Sequence, residues 1–140
     1  MAASAAILVP LATAGKSPQH ATGDVTWNYQ GTVTGHVSFN ANVKTGGSLD
    51  YQDSTGGWIH GVVKEYRQID EQTAVFTGRI TDGSQGYAIP GYFYAKVVDG
   101  GTSGSQGDRI AVLANAGPES VTGSYDGPLA DVTGGNLAVH

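Results

Sequence analysis

Apolar and polar side chains alternate without interruption over residues 33–44. Val37, Phe39 and Ala41 belong to the apolar set, and His36 and Asn40 belong to the polar set between them. Because successive side chains of a strand point to opposite faces, this period of two predicts a long antiparallel strand with one buried and one solvated face.

The remainder of the chain divides into similar short segments, separated by turns rich in Gly, Ser and Asp. Strands are predicted over residues 24–29, 48–52, 58–66, 73–81, 87–98, 108–114 and 137–139, and residues 115–128 are predicted to be irregular. Pro90 and Gly91 interrupt one strand, which is typical of an edge or a bulge. No segment has helical periodicity. The pattern therefore predicts an all-β domain, either an antiparallel β-sandwich or a closed β-barrel of about 8–9 short strands.

The start of the chain differs from the rest in composition. Residues 2–11 are small and apolar, and Ala12, Thr13 and Ala14 fit a signal-peptidase site, so residues 1–14 are predicted to be a signal peptide. The alternative is a retained segment that packs as an added strand. The apolar run of about ten residues is too short to span a bilayer. We expect a linker over residues 15–22, a single β domain over residues 23–140, and secretion.

Composition narrows the classes of function. The chain carries 22 glycines, a charged fraction of 14% and a formal net charge of −5. It has no basic run, which argues against nucleic-acid binding. Cysteine is absent, so disulfides, thiolate metal sites and thiol catalysis are excluded.

Six short motifs suggest a family when they are taken in order. They are GSLDYQD at 47–53, FTG at 76–78, GY at 86–87, DGG at 99–101, DRIAV at 108–112 and GGNLAVH at 134–140. In this order they resemble a family of small, secreted bacterial all-β modules of uncharacterised function, found alone or at the C-terminal end of extracellular proteins. The resemblance covers roughly residues 32–140. It implies a sandwich-like fold, export, and a binding or structural role, and it supplies no catalytic residues.

Residues suited to catalysis or to zinc binding are scattered along the chain. The histidines are His20, His36, His60 and His140. None has the short spacing of zinc ligands, so surface positions are expected, with zinc bound across strands as the alternative. His140 is expected to hold the last strand to a neighbour. No serine lies in a Gly-x-Ser-x-Gly elbow, and Asp50 and Asp53 are not expected to face each other across a cleft. We therefore expect a protein that is not an enzyme.

The loop over residues 99–108 is the best candidate for an ion site. Asp99 and Asp108 bound a Gly- and Ser-rich run, and carboxylate and carbonyl oxygens are ligands suited to calcium. The loop lacks the regular Asp spacing of an EF-hand, so the alternative is a structural hairpin loop without a cofactor.

Aromatic residues supply the candidate ligand-binding site. Tyr92 and Tyr94 share a predicted strand face, and Trp58 begins another strand. Exposed aromatic rings on a sheet can stack on sugar rings, while the alternative is ordinary cross-strand packing.

Two kinds of extracellular role follow from these observations. One is a non-catalytic module, which either binds a ligand or builds a structure by self-association through sheet edges. A carbohydrate-binding module, with an extracellular glycan as its ligand, is the alternative. The other, a small extracellular hydrolase, is the less favoured alternative.

Overall fold

The computed structural model describes residues 19–29, 31–87, 89–101, 107–114 and 128–140. These residues form eight strands: β1 (His20–Tyr29), β2 (Val33–Asn42), β3 (Gly46–Asp53), β4 (Trp58–Gln68), β5 (Thr73–Gly83), β6 (Gly91–Val98), β7 (Arg109–Ala114) and β8 (Ala130–Val139). Each strand pairs antiparallel with the next, and β8 returns to β1, so the sheet closes into a barrel. The closed-barrel prediction is confirmed, and the described strands do not form the two packed sheets of the β-sandwich alternative.

The two ends of the described barrel meet where β8 pairs with β1. The N–H of His140 donates to the carbonyl of His20 at 2.8 Å, and the N–H of His20 donates back at 3.3 Å. Their imidazole rings stack with centroids 4.6 Å apart. Leu137 and Val139 are buried on the inner face of β8. The predictions that His140 holds the last strand and that this strand closes the sheet are therefore confirmed.

Aromatic rings fill the inside of the barrel. The inward-facing set of β2 is buried as its alternation predicts. The ring of Phe39 lies 5.2 Å from that of Phe76, and Phe76 lies 6.4 Å from Phe93 in an edge-on arrangement. Because all three phenylalanines are nearly or fully buried, these rings form the centre of the hydrophobic core.

Inward-facing glycines make room for these rings. A Cβ atom on Gly61 would lie 2.6 Å from the ring of Phe93, and one on Gly23 would clash with the ring of Phe39. A narrow barrel needs small residues opposite large ones, so these glycines are explained by space rather than by turn geometry.

Some boundaries differ from the sequence-based predictions. The predicted linker over residues 15–22 is wrong at its end, because β1 already begins at His20. The last strand begins at Ala130 rather than at residue 137, and β6 begins at Gly91, directly after Pro90. Residues 1–14 and 115–127 lie outside the described residues. Within the described part of the chain, no helix has the length and apolarity needed to cross a membrane.

Candidate functional site

Two neighbouring rows of outward-facing side chains cross the barrel wall. The first row contains Asp24, Ser38, Asp50 and His60, and the second contains His36, Gln52 and Trp58. The rows arise because β1 to β4 pair in register and every second residue of a strand points outward. The wall of β1 to β4 therefore presents a polar surface with one large aromatic side chain.

Each histidine of these two rows is hydrogen-bonded to an aspartate on the adjacent strand. The distance from His36 Nε2 to Asp24 Oδ1 is 2.5 Å, and that from His60 Nδ1 to Asp50 Oδ1 is also 2.5 Å. Gln52 Nε2 lies 3.5 Å from His36 Nδ1. When the imidazole N–H donates to the carboxylate in each pair, the ring orientation is fixed.

A cleft of about 260 Å³ lies in this wall, and we call it the outer cleft. The outward-facing side chains that line it are His36, Ser38, Asp50, Gln52 and Trp58. Trp58 is 41% exposed, which is unusual for so large an apolar side chain. The outer cleft thus combines one accessible indole with several hydrogen-bonding groups.

The backbone of Trp58 is held in place by Ser84. The N–H of Trp58 donates to Ser84 Oγ at 2.9 Å, and the N–H of Ser84 donates to the carbonyl of Trp58 at 2.9 Å. These reciprocal bonds fix the start of β4 against the end of β5. A fixed backbone lowers the entropy cost when a ligand contacts the indole.

The structure separates the three aromatic residues that the sequence proposes as a ligand site. Tyr92 is 37% exposed and lies beside Arg79, with the guanidinium carbon 6.0 Å from the ring centroid. Tyr94 faces outward on the same strand but is only 4% exposed. The shared stacking face expected of Tyr92 and Tyr94 is therefore not present, because an outward direction does not ensure exposure. Trp58 belongs to the outer cleft, whose lining contains neither tyrosine.

Asp99 and Asp108, the candidate calcium ligands, bind backbone N–H groups instead. Asp108 is 1% exposed, and its carboxylate accepts from Gly100 at 2.8 Å and from Leu137 at 3.4 Å. Asp99 accepts from Gly101 at 2.9 Å and from Val139 at 3.2 Å. All four carboxylate oxygens therefore accept an N–H.

These two aspartates lie at the junction of β7 and β8, which we call the seam. The ladder between β7 and β8 contains only two residue pairs, Arg109 with Asp131 and Ile110 with Ala130. Beyond this ladder, the N–H of Val132 donates to the carbonyl of Asp108, and those of Leu137 and Val139 donate to the carboxylates of Asp108 and Asp99. Residues 102–106 of the candidate calcium loop lie outside the described residues, so calcium binding by this loop stays a prediction.

Other candidates for metal binding or acid catalysis remain apart. Among the described residues, no three His, Cys, Asp or Glu side chains cluster as metal ligands would. Glu65, Asp70 and Glu71 are exposed around the connection from β4 to β5. Hydrogen bonding to Gln72 is the main cause that lowers the pKa of Asp70 below its usual range.

Asp53 ends β3 and organises the turn before Trp58. Burial pushes the pKa of this carboxyl upward, but hydrogen bonds from the hydroxyls of Thr55 and Tyr51 and from backbone N–H groups outweigh it. The net effect lowers the pKa to about 2, so the carboxylate stays ionised. The Tyr51 hydroxyl donates to it at 2.9 Å.

Sequence reasoning missed the pairing of Asp50 with His60, although the chain contains the signal. The turn over residues 53–57 joins β3 to β4 and sets Gln52 opposite Trp58. Counting outward from that pair places Asp50 opposite His60. The pairing of His36 with Asp24 is diagonal, so it also requires the orientation of both side chains.

The fold and the site define a small closed antiparallel β-barrel with an aromatic and polar cleft in its outer wall. Comparisons with protein-family models, with curated proteins and with solved structures found no match.

Proposed function

We propose that this protein is a non-catalytic binding module that recognises a neutral carbohydrate at the outer cleft. The observation that carries the proposal is the exposed indole of Trp58 beside the polar side chains of Asp50, Gln52 and His36. A sugar ring offers a C–H face for the indole and hydroxyls for the polar groups, and the cleft supplies both kinds of contact.

The charge of the surface favours a neutral ligand over an anionic one. The chain has a formal net charge of −5, and the cleft itself contains the carboxylate of Asp50. An acidic glycan would meet repulsion at close range, whereas a neutral glycan donates hydroxyl hydrogens to the carboxylate.

The contacts of the histidines support binding rather than hydrolysis. Both imidazoles bond to carboxylates, and no serine or threonine hydroxyl of the described residues is hydrogen-bonded to either ring. A triad needs such a hydroxyl as its nucleophile. The carboxylates of Asp24 and Asp50 each engage a histidine, whereas a glycosidase pair flanks the scissile bond.

Ring closure favours a binding role over assembly through sheet edges. An assembling subunit needs long strand edges with unpaired backbone groups, and a barrel removes most of them. The extracellular location is part of the same proposal. It rests on the small apolar residues before Ala12 to Ala14 and on the resemblance to secreted bacterial modules.

Pull-down on insoluble polysaccharides tests the proposal. The purified protein is mixed with cellulose, chitin and xylan, and the affinity for any retained polymer is then measured with its soluble oligosaccharides. We expect Trp58→Ala to weaken binding roughly tenfold or more without a change in melting temperature, since the indole is exposed.

Tyr92→Ala is the matched control, because it also removes an exposed aromatic ring but lies outside the cleft lining. It should bind as the unmodified protein does. No retention on any neutral polymer, or equal retention by the Trp58→Ala variant, would contradict the proposal.

A further inference from the structure

A second cavity lies at the end of the barrel where β4 begins, which we call the upper end. At this end β8 does not extend as far as β7. The ladder between the two strands ends at the pair of Ile110 with Ala130. Within the described part of the chain, Ala111 to Ala114 pair only with β6. A cavity of about 490 Å³ occupies the wedge between β7 and β1, and we call it the mouth cavity.

Aromatic and aliphatic side chains line the mouth cavity. They include Trp27, Tyr51, Tyr87, Val112 and Ala114. The rings of Trp27 and Tyr51 lie 5.9 Å apart. Trp27 is 5% exposed and Tyr51 is 9% exposed, so the packed core fixes both rings.

Glycine at position 35 leaves room for the ring of Trp27. A Cβ atom on Gly35 would lie 2.8 Å from the indole of Trp27, so the ring sits directly over the backbone of β2. The cavity thus has an aromatic wall on one side and aliphatic side chains of β7 on the other. Aromatic rings in such a wall favour a ligand with a planar ring that can stack on them.

The charges near the cavity disfavour an anion. The carboxylate of Asp53 accepts the hydroxyl hydrogen of Tyr51. Burial raises the pKa of Tyr87, and the negative charge of Asp53 raises it further, so this phenol stays uncharged. An anionic ligand would meet the charge of Asp53, and the described residues that line the cavity include no cationic side chain.

We propose that the mouth cavity binds an uncharged small molecule with a flat, largely apolar body. Its volume falls in the range of about 300–1,000 Å³ that is typical of small-molecule sites. Tyr51 and Ile59 border both cavities, but the outward-facing side chains of the outer cleft, including Trp58 and Asp50, do not line the mouth cavity.

The two tryptophans of the chain allow a direct test. Trp58→Phe leaves Trp27 as the only indole, and Trp27 lines the mouth cavity. N-phenyl-1-naphthylamine, a neutral aromatic probe, is titrated into this variant. We expect saturable quenching of Trp27 emission together with a rise in probe fluorescence. The anionic probe 8-anilinonaphthalene-1-sulfonate should bind roughly tenfold more weakly, because it carries a charge on a similar ring system.

Ala114→Leu in the same background narrows the cavity and should weaken binding of the neutral probe roughly tenfold. Ala138→Leu adds the same volume on β8, away from the cavity lining, and should bind as the parent does. Absence of saturable quenching, equal binding of both probes, or equal binding by the two leucine variants would overturn the proposal. If Ala114→Leu fails to fold, the comparison of the two probes still decides it.

Discussion

The seam between β7 and β8 and the wall around Trp58 both depend on aspartates, but they use them in different ways. In the seam, Asp108 is 1% exposed and accepts N–H groups of the backbone. On the wall, the side chains of Asp24 and Asp50 are 73% and 62% exposed, and each bonds a histidine. The same residue type is structural in one region and accessible to a ligand in the other.

Ladder length explains the difference. The ladder of β1 with β2 satisfies its backbone groups over the whole strand, from His20 with Asn42 to Tyr29 with Val33. The seam has two residue pairs, so N–H groups of β8 need other acceptors. A buried N–H without an acceptor destabilises the folded state, and in the seam carboxylates serve as the acceptors. Where the ladder is complete, carboxylates are left for other contacts.

The largest effect is expected from breaking the seam at Asp108. Asp108→Ala removes the acceptor for the N–H groups of Gly100 and Leu137, and Leu137 lies in the core. We expect a loss of about 3 kcal/mol in the free energy of unfolding, because two donors lose their partner in a buried place. Urea denaturation followed by circular dichroism measures it.

Asp131→Ala is the control for this change, since Asp131 lies in the same seam but its side chain is exposed. It should change the free energy of unfolding by less than about 0.5 kcal/mol. Equal stability of the two variants would show that Asp108 does not hold the seam.

Local pattern was sufficient to predict most of the strands, but it left open whether they form a β-sandwich or a closed barrel. The alternation around Phe39 predicted which side chains of β2 face inward, because a burial period of two is visible within a single strand. Closure joins His20 to His140, near the two ends of the domain, and no local pattern specifies that pair. Asp99 and Asp108 stood out as possible ion ligands because the short ladder that they complete is a property of the whole barrel.

The direction of a side chain is easier to predict from a sequence than its exposure. Alternation correctly placed Tyr92 and Tyr94 on the same face. Their exposures, 37% and 4%, differ because exposure depends on packing with distant parts of the chain. Trp58 was singled out as a candidate and lies in the outer cleft, but its polar neighbours depend on the register of β2, β3 and β4.

Asp53 is a partly buried case between these two regions. Its pKa is lowered from 3.8 to about 2, so its ionised form stabilises the folded state. That contribution is present above pH 3.8 and is lost as the pH falls toward 2. Allowing for solvent screening, we expect Asp53→Asn to lower the free energy of unfolding at pH 7 by about 1 kcal/mol.

Urea denaturation at several pH values between 4 and 2 tests the origin of this contribution. The unmodified protein should lose stability across this range more steeply than Asp53→Asn, which has no carboxyl to protonate. Asp82→Asn, an exposed change on β5, is the control and should keep the steeper dependence. Parallel pH profiles for the unmodified protein and Asp53→Asn would contradict the role of this carboxylate.

The smallest effect on stability is expected on the wall, where the pair of Asp24 and His36 is exposed. A double-mutant cycle with Asp24→Asn and His36→Gln measures the energy that couples the two side chains. Despite the distance of 2.5 Å, we expect a coupling of about 0.5 kcal/mol or less, because water screens an exposed pair and ordering two side chains costs entropy. Asp50→Asn should be equally mild for folding but should weaken binding of the retained polysaccharide, since Asp50 lines the outer cleft. A coupling above about 1.5 kcal/mol would place Asp24 with Asp108 among the structural aspartates, and the distinction between seam and wall would then fail.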